Sequence, residues 1–404
     1  KVYYPNSKKE SMSNVDSIAV PTPSLAEAAH EVCSVAREQR NETEGLRKLA
    51  PPIVEKLIAS NIFRLGLPKS LGGWEDDPVK VLKVYEALSG AEASVAWISW
   101  NNHLATTFGR FLDEESMHEI YGNPSHVYAN STRPEGYAKK VADGYKVSGR
   151  WTLVSGCELA DWFALRCIVT TDDSKPKPGP GIELKILFIP KEAITIIDTW
   201  SVGGLRGTGS HDIEIEGTFV PERYAVDFKS PVSIDTPYSR LPIGCMNGAG
   251  CAAMALGLAK AATDELIKMG QERVTPGKNP DLRDRPGVQA VAAKSLSSLS
   301  ASSSQLYGSV SNLWEESLKG NEFSDKLLAD VWAAAHVAAT TARSVVSEIY
   351  AVAGTSALYT KFPFERIHRD IHAVLQHGII QPHWMNQAGM AYLGLKPTAA
   401  MFRT

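Results

Sequence analysis

The chain has 404 residues, of which 42 are basic and 45 acidic, so its formal net charge is −3. At about 150 residues per domain this length predicts two or three domains. The nearly balanced charge argues against a nucleic-acid-binding protein, because phosphate binding needs clustered positive charge. The 44% hydrophobic content excludes a disordered chain.

The five cysteines form no C-x-x-C pair and are irregularly spaced. This pattern favours a cytoplasmic protein with reduced thiols, and it predicts neither a disulfide framework nor a zinc site. Residues 1–23 are polar and are expected to be disordered or tag-like. The longest uncharged run, 241–259, is too rich in small and polar residues to predict a membrane span.

Residues 24–125 are predicted to form an N-terminal helical domain. Ser24 can cap a helix over Leu25–Arg40, and a second helical stretch is predicted over Asn41–Ser60. A further helix is predicted over Ala93–Gly109, which is rich in tryptophan and asparagine.

The pattern changes to short strands over residues 126–236, which predicts a central β domain. Asp143-Gly144 indicates a hairpin turn, because glycine accepts a positive φ. The predicted strands are Val127–Asn130, Tyr137–Val141, Tyr145–Ser148, Trp162–Thr170, Ile182–Ile189 and His211–Glu216.

Long helices return over residues 237–404, the predicted C-terminal helical domain. The predicted helices are Gly248–Met269, Pro286–Leu318, Phe323–Gly354 and Glu365–Leu393. Apolar residues of the third recur every three or four positions, as on a buried helical face. Helices, then strands, then helices indicate an α+β protein rather than a βαβ winding.

Two local patterns are too weak to carry a function. The run from Gly248 to Ala253 resembles the G-x-G-x-x-A dinucleotide fingerprint, but it follows no strand, so we interpret its glycines as sites of close helix packing. His368 and His372 have a metal-binding spacing, but no H-E-x-x-H motif accompanies them, so we expect no metal site.

Two longer segments are more informative: Gly149–Trp162, with its S-G-x-x-x-A-D-W pattern, and Asp198–Asp212, with G-L-R-G-T-G-S-H-D. Together with the hairpin before them and the helices after them, they resemble the acyl-CoA dehydrogenase superfamily. The similarity is greatest to the two-component, group D flavin monooxygenases, such as aromatic hydroxylases and dibenzothiophene monooxygenase. This resemblance implies an N-terminal helical domain, a central β-barrel-like domain and a C-terminal four-helix bundle.

The resemblance also implies a function. The protein would be the oxygenase component of a two-component monooxygenase that receives reduced FMN or FAD from a separate NAD(P)H:flavin reductase. It would react the flavin with O2 to a C4a-hydroperoxyflavin and oxygenate a small aromatic or heteroaromatic substrate, such as an indole, phenol or thiophene. A homotetramer is implied as well, with no membrane or nucleic-acid partner.

The resemblance places a flavin between the β domain and the C-terminal helices. The residues implied in flavin binding are Asn130, Ser131, Thr152, Ser155, Trp200 and Arg273. Hydroxyls suit this role because a flavin presents alternating donors and acceptors along one edge. Each of these residues also has a purely structural interpretation, such as a turn serine or a core aromatic residue.

The three implied catalytic residues are Ser155, His377 and His103. Dehydrogenases of this superfamily commonly keep a proton-abstracting glutamate after an R-D pair, and His377-Gly378 follow Arg369-Asp370 at that place. A histidine suits oxygen transfer because its pKa lies near the working pH. The predicted substrate pocket comprises Trp97, Trp100, Asn101, His103, Trp332 and His336.

Three alternatives stay open on the sequence alone. One is an acyl-CoA dehydrogenase-like FAD enzyme that oxidises a thioester, and another is an N-oxygenase that acts on an amine. The third is a non-catalytic binding or scaffold protein on the same fold.

Overall fold

A computed structural model describes residues 24–228, 230–272 and 281–404. The predicted tag-like segment 1–23 and the predicted flavin ligand Arg273 lie outside these residues. Within the described part of the chain, no helix combines the length and the apolar character that a membrane crossing requires.

The N-terminal helices are α1 (Leu25–Leu46), α2 (Pro51–Ala59), α3 (Pro78–Ala91), α4 (Ala93–Thr107) and α5 (Glu114–Tyr121). Ser24 caps α1 as predicted, in a reciprocal capping box with Glu27. The prediction of a helix break after Arg40 was wrong: α1 continues to Leu46, and the break comes before Pro51. The two prolines that open α2 lack the N–H groups needed to continue a helix, but they are tolerated in a first turn.

Within the described residues, seven strands form one sheet: β1 (Tyr128–Val141), β2 (Gly144–Val154), β3 (Trp162–Thr170), β4 (Leu184–Pro190), β5 (Thr195–Ile197), β6 (His211–Pro221) and β7 (Ala225–Val226). Their order is β5-β6-β2-β1-β3-β4-β7, with β1 and β3 parallel and the other neighbours antiparallel. The predicted hairpin at Asp143-Gly144 is confirmed, but the positive φ, 62°, belongs to Asp143 and not to the glycine.

The strands on either side of that hairpin are longer than predicted. Val127–Asn130 and Tyr137–Val141 were predicted as two strands, but most of both lies in β1, with a register shift between Ser131 and Gly136. Polar residues within this stretch hid its continuity, because the alternating apolar pattern is interrupted there.

The C-terminal helices are α6 (Ile243–Glu272), α7 (Pro286–Lys319), α8 (Asp325–Ala353), α9 (Phe364–Val374) and α10 (His383–Tyr392). The prediction of one last helix over Glu365–Leu393 was wrong, because a turn with the 3-10 helix Gly378–Ile380 separates α9 from α10. Pro382 precedes α10 and favours a new helix start.

The α6 glycines allow close helix packing, as interpreted from the sequence. A Cβ atom at Gly250 would lie 2.7 Å from Trp100 Cδ1, and one at Gly257 would lie 2.0 Å from the Glu86 carbonyl oxygen. The α3, α4, α6 and α8 side chains form one shared apolar core, and a second core lies at the sheet. The three-domain division at residues 125 and 236 stays a prediction, since helices that precede the sheet in the chain and helices that follow it share that first core.

Candidate active site

His377 lies in the turn between α9 and α10. Its Nδ1 accepts a hydrogen bond from the backbone N–H of Ile379 at 3.2 Å. A ring nitrogen that accepts carries no proton, so the neutral imidazole holds its proton on Nε2. The ring meets Trp97 and Trp100 edge-on, at centroid distances of 5.7 and 5.1 Å.

Three side chains brace this turn through its backbone carbonyl oxygens. Gln381 Nε2 donates to His377 at 3.2 Å, Trp384 Nε1 to Gly378 at 2.9 Å, and His336 Nδ1 to Ile380 at 2.9 Å. His336, predicted as a pocket residue, therefore supports the segment that carries His377.

The surroundings keep His377 uncharged near neutral pH. Burial lowers its pKa to about 4, and the positive charge of Arg133 acts in the same direction. Among the described residues, no carboxylate forms an ion pair with it. Two buried carboxylates, Glu92 and Asp370, have other partners: Glu92 accepts from the Ser94 N–H at 3.2 Å, and Asp370 from the Leu205 N–H at 2.7 Å.

Ser155, just after β2, is the first of three hydroxyl groups in a row; the other two, Ser210 and Thr208, lie just before β6. Ser155 Oγ accepts from Trp97 Nε1 at 2.9 Å and contacts Ser210 Oγ at 2.8 Å. Ser210 in turn contacts Thr208 Oγ1 at 2.7 Å, and Thr208 donates to the Leu205 carbonyl at 2.9 Å. Because each hydroxyl has one proton, Thr208 must accept from Ser210, and Ser210 from Ser155. Ser155 therefore keeps one free lone pair and no free proton.

Helix α4 packs against the sheet, α3 and α6, and this packing fixes the positions of its two tryptophans. Trp97 and Trp100 are buried, with centroids 5.0 Å apart. Trp100 Nε1 donates to the Asn247 carbonyl at 3.2 Å, so its polar atom is satisfied in this core.

His103, one turn further along α4, lies between two tyrosines. Its Nδ1 contacts the Tyr85 hydroxyl, and its Nε2 contacts the Tyr238 hydroxyl at 3.1 Å. Burial lowers the pKa of His103 to about 4, so this imidazole is also neutral near pH 7. It can donate to one tyrosine and accept from the other.

A cleft opens beside His103, with about 880 Å³ of unfilled space when its mouth is included. Its walls come from α3, α4, the 3-10 turn Phe108–Phe111 and the segment that leads into α6. Trp100 lines this cleft and also contacts His377. The Trp100 indole ring thus lies between the cleft and the His377 turn. His103 is on its cleft side and His377 is on the other side, so the structure brings these two predicted catalytic histidines close to one ring.

Four further predicted residues have other partners. Asn130 Nδ2 donates to the Asn101 carbonyl at 2.7 Å, and Asn101 Nδ2 to the Trp97 carbonyl at 2.9 Å, which ties β1 to α4. Ser131 Oγ accepts from the Arg133 N–H at 3.4 Å. The hydroxyl and backbone N–H of Thr152 both donate to Glu135, so this hydroxyl is already engaged.

Trp200 is half-buried and packs against the helical core from the loop before β6. Its Nε1 donates to the Arg206 carbonyl at 3.1 Å, and its backbone N–H to His211 Nδ1 at 3.2 Å. The structure thus holds the position of this ring from two sides. Contact of Trp200 with a flavin stays a prediction.

Trp332 does not join the other pocket residues. It is buried in the C-terminal bundle, stacked on Trp384 at 4.0 Å, and its Nε1 donates to the Phe402 carbonyl at 3.2 Å. Trp332 and His336 lie on one long helix, α8, as predicted, but the side of α8 that bears them faces α10 and the turn. No group of three or more metal-binding side chains occurs in the described ranges.

Sequence reasoning missed three residues of the site. Tyr85 and Tyr238 lie far apart in the chain, and neither belongs to a motif. Ser210 lies inside the G-L-R-G-T-G-S-H-D segment, so its position was available as a signal, but its hydroxyl was not assigned a role.

Comparisons with known proteins agree with this architecture. A family model described as the C-terminal domain of acyl-CoA dehydrogenase matches residues 249–382. Indole-3-acetate monooxygenase of Pseudomonas putida is 29% identical over 89% of this chain and 91% of its own length. The flavin-dependent monooxygenase oxygenase subunit HsaA of Rhodococcus jostii is 28% identical over 86% of this chain and 92% of its own.

A solved structure matches over nearly the whole chain. The 3-HSA hydroxylase of Rhodococcus sp. RHA1 superposes with a TM-score of 0.85 at 26% identity, covering 94% of this chain and 99% of that one. The resemblance inferred from the sequence is thereby confirmed: the chain has the acyl-CoA dehydrogenase fold, and over most of its length it is related to flavin-dependent monooxygenases.

Proposed function

We propose that this protein is the oxygenase component of a two-component flavin-dependent monooxygenase. It binds reduced FMN or FAD from a separate NAD(P)H:flavin reductase, and with O2 it transfers one oxygen atom to a small aromatic or heteroaromatic substrate. The observation that carries the proposal is His377, an uncharged imidazole that lies against Trp97 and Trp100. We take its position after Arg369-Asp370 to correspond to the one where dehydrogenases of this superfamily commonly keep a carboxylate.

The row of hydroxyl groups fits a reduced flavin. A reduced isoalloxazine carries a proton on N5 that the oxidised ring lacks, and Ser155 has a free lone pair but no free proton to offer. Leu153, two residues earlier, has a 49% exposed side chain and a positive φ of 57°, so an apolar surface is presented next to Ser155. A flat, largely apolar ring would cover such a surface favourably.

When bound, the reduced flavin supplies the electrons that activate O2. The protein's residues orient and shield this chemistry. His377 offers an Nε2–H donor to a reacting oxygen atom, since its Nδ1 already accepts from Ile379. Trp97 and Trp100 exclude water from the imidazole, which strengthens such a hydrogen bond.

The cleft beside His103 suits an aromatic substrate. Most of its exposed wall area is apolar, and polar side chains occur at several positions, as in pockets that bind and orient flat organic molecules. His103, held between Tyr85 and Tyr238, supplies a polar anchor at one position. A thioester oxidase would instead need a carboxylate beside the reacting carbon, and the described residues offer none at His377.

Isotope labelling tests this proposal. The protein is supplied with reduced FMN or FAD and ¹⁸O2, together with indoles (including indole-3-acetate), phenols and thiophenes, and products are analysed by mass spectrometry. We expect label in an oxygenated product and its loss in His377→Ala, with His30→Ala, on the exposed side of α1, as the matched control. Oxidation of acyl-CoA with added FAD, and no labelled product, would overturn the proposal.

Assembly and location are part of the same proposal. The C-terminal region exposes large apolar side chains, among them Leu358 (67%), Leu393 (80%) and Leu395 (57%), which supports burial of this surface in a homotetramer. All five cysteines are unpaired and buried, which supports a cytoplasmic location. Arg273 stays our candidate ligand for a flavin phosphate. Light scattering that gave a monomer would contradict the tetramer.

A further inference from the structure

We propose that Arg110 makes the cleft selective for aromatic substrates that carry a carboxylate group. This inference rests on the proposed function and narrows its substrate class. Arg110 lies in the 3-10 turn after α4 and lines the same cleft as His103 and Trp100.

The positive charge of Arg110 has no counter-ion in the described part of the chain. No carboxylate forms an ion pair with it, and its side chain is the sole lysine or arginine among the described residues that line the cleft. Glu75 is the acidic residue of that lining, and its Oε2 accepts instead from the Lys69 N–H at 3.0 Å. His103 adds no charge, because it is neutral near pH 7.

Burial makes this lone charge costly. It lowers the pKa of Arg110 to about 10, so the guanidinium remains protonated at neutral pH while it is poorly solvated. The guanidinium carbon lies 5.1 Å from the centre of the Phe111 ring, but this contact does not neutralise the charge. A desolvated cation without a counter-ion destabilises a protein, and an anion that binds beside it relieves that penalty. The free energy available to a carboxylate is therefore larger here than at a solvated arginine.

The hydrogen bonds of Arg110 leave one edge of the guanidinium unused. Nη1 donates to the carbonyl oxygens of Ser239 and Leu241. Among the described residues, Nε is buried without an acceptor, and both hydrogen bonds of the guanidinium start from Nη1, so Nη2 stays open. Nε and Nη2 form the edge to which a carboxylate binds with two parallel hydrogen bonds.

A second buried arginine shows what a purely structural role looks like. Arg64 also lacks a carboxylate partner, but both its Nη atoms donate to backbone carbonyls, those of Leu71, Tyr121 and Asn123. It does not line the cleft, and it is 1% exposed. In both arginines Nε is buried without an acceptor among the described residues. Arg110 differs because its Nη2 is unused as well, and because it lines a space that can hold a ligand.

Calorimetric titration of the flavin-free protein with indole-3-acetate and with its uncharged amide, indole-3-acetamide, tests the inference. We expect the acid to bind at least about tenfold more tightly than the amide, as a charged hydrogen-bonded pair allows. In Arg110→Gln this ratio should fall to about one, and in Arg110→Lys it should lie between these values. Arg37→Gln, on the exposed side of α1, serves as the matched control that keeps the wild-type ratio.

The outcomes separate this inference from the proposed function. A wild-type ratio near one, including no binding of either compound, would overturn the role of Arg110, and so would an equal loss of both affinities in Arg110→Gln. If Arg110→Gln does not fold, Arg110→Lys replaces it: lysine keeps the charge but cannot form two parallel hydrogen bonds, so we expect an acid-to-amide ratio below that of the wild type, and an unchanged ratio refutes the two-bond pair. Charge-selective binding without oxygenation of any substrate would leave this inference standing and overturn the monooxygenase proposal.

Discussion

Replacement of Gly250 by alanine should disturb the active site without touching a catalytic residue. The added Cβ would lie 2.7 Å from Trp100 Cδ1 and 2.8 Å from its Nε1. The indole must retreat by about 0.7 Å to reach an ordinary contact distance. That movement strains its hydrogen bond to the Asn247 carbonyl and its contact with His377.

Two opposing terms set the effect on stability. Alanine improves helix propensity by about 1 kcal/mol, whereas overpacking of a buried site costs about 1–3 kcal/mol. We expect the free energy of unfolding to fall by about 0–2 kcal/mol and turnover to fall by about tenfold or more, because small misplacements near reacting groups are costly.

Urea denaturation and oxygenation kinetics measure the two effects separately. Gly308→Ala is the matched control. Gly308 lies within α7, and no atom of the other described residues, beyond its own helix backbone and chain neighbours, lies within 4 Å of its added Cβ. This variant should gain stability at wild-type turnover. Wild-type turnover and increased stability in Gly250→Ala as well would refute the argument that Trp100 must stay close to α6.

Three further predictions concern individual contacts. Ser155→Ala leaves the buried Trp97 indole N–H without its acceptor, so we expect the free energy of unfolding to fall by about 1–3 kcal/mol. Reduced flavin should also bind more weakly in a spectroscopic titration, and an unchanged flavin affinity would contradict the role of the Ser155 lone pair. Tyr238→Phe removes the partner of His103 Nε2 and should raise KM for a polar aromatic substrate by about two- to tenfold, and an unchanged KM would refute the anchor. The pKa of His377 is about 4 in the folded protein and near 6.5 in the unfolded chain, so its contribution to stability is present above pH 6.5 and is lost as the pH falls towards 4. The urea midpoint should therefore drop less between pH 7.5 and pH 5 in His377→Asn than in the wild type. An equal drop in both proteins would refute the neutral imidazole.

Local sequence signals predicted a large part of this fold. Ser24 caps α1, Asp143 turns the β1–β2 hairpin, and the apolar stripe of α8 is buried, since each feature depends on residues close together in the chain. The break between α9 and α10 was missed, because the helical pattern continues on both sides of Gly378. Because of that break, His377 lies in a turn and not in a helix. The missed helix end therefore changed the predicted backbone conformation of the main catalytic candidate.

The site was less predictable because its contacts join distant parts of the chain. The Thr152 hydroxyl could hydrogen-bond a cofactor, but it already donates to the carboxylate of Glu135 on the neighbouring strand. Tyr85 and Tyr238 meet at His103 only because α3 and the segment before α6 pack around α4. No property of Arg110 in the sequence distinguishes it from an ordinary solvated arginine.

The three bonds that brace the His377 turn all end on main-chain oxygen atoms, so none of them depends on which side chain residue 377 carries. The His377 ring adds one further bond, from the Ile379 N–H, and a carboxylate or amide oxygen could accept that bond as well. An acid, an amide or an imidazole could be exchanged there while the flanking helices stay in place, which gives such a scaffold a simple means of acquiring new chemistry by one substitution.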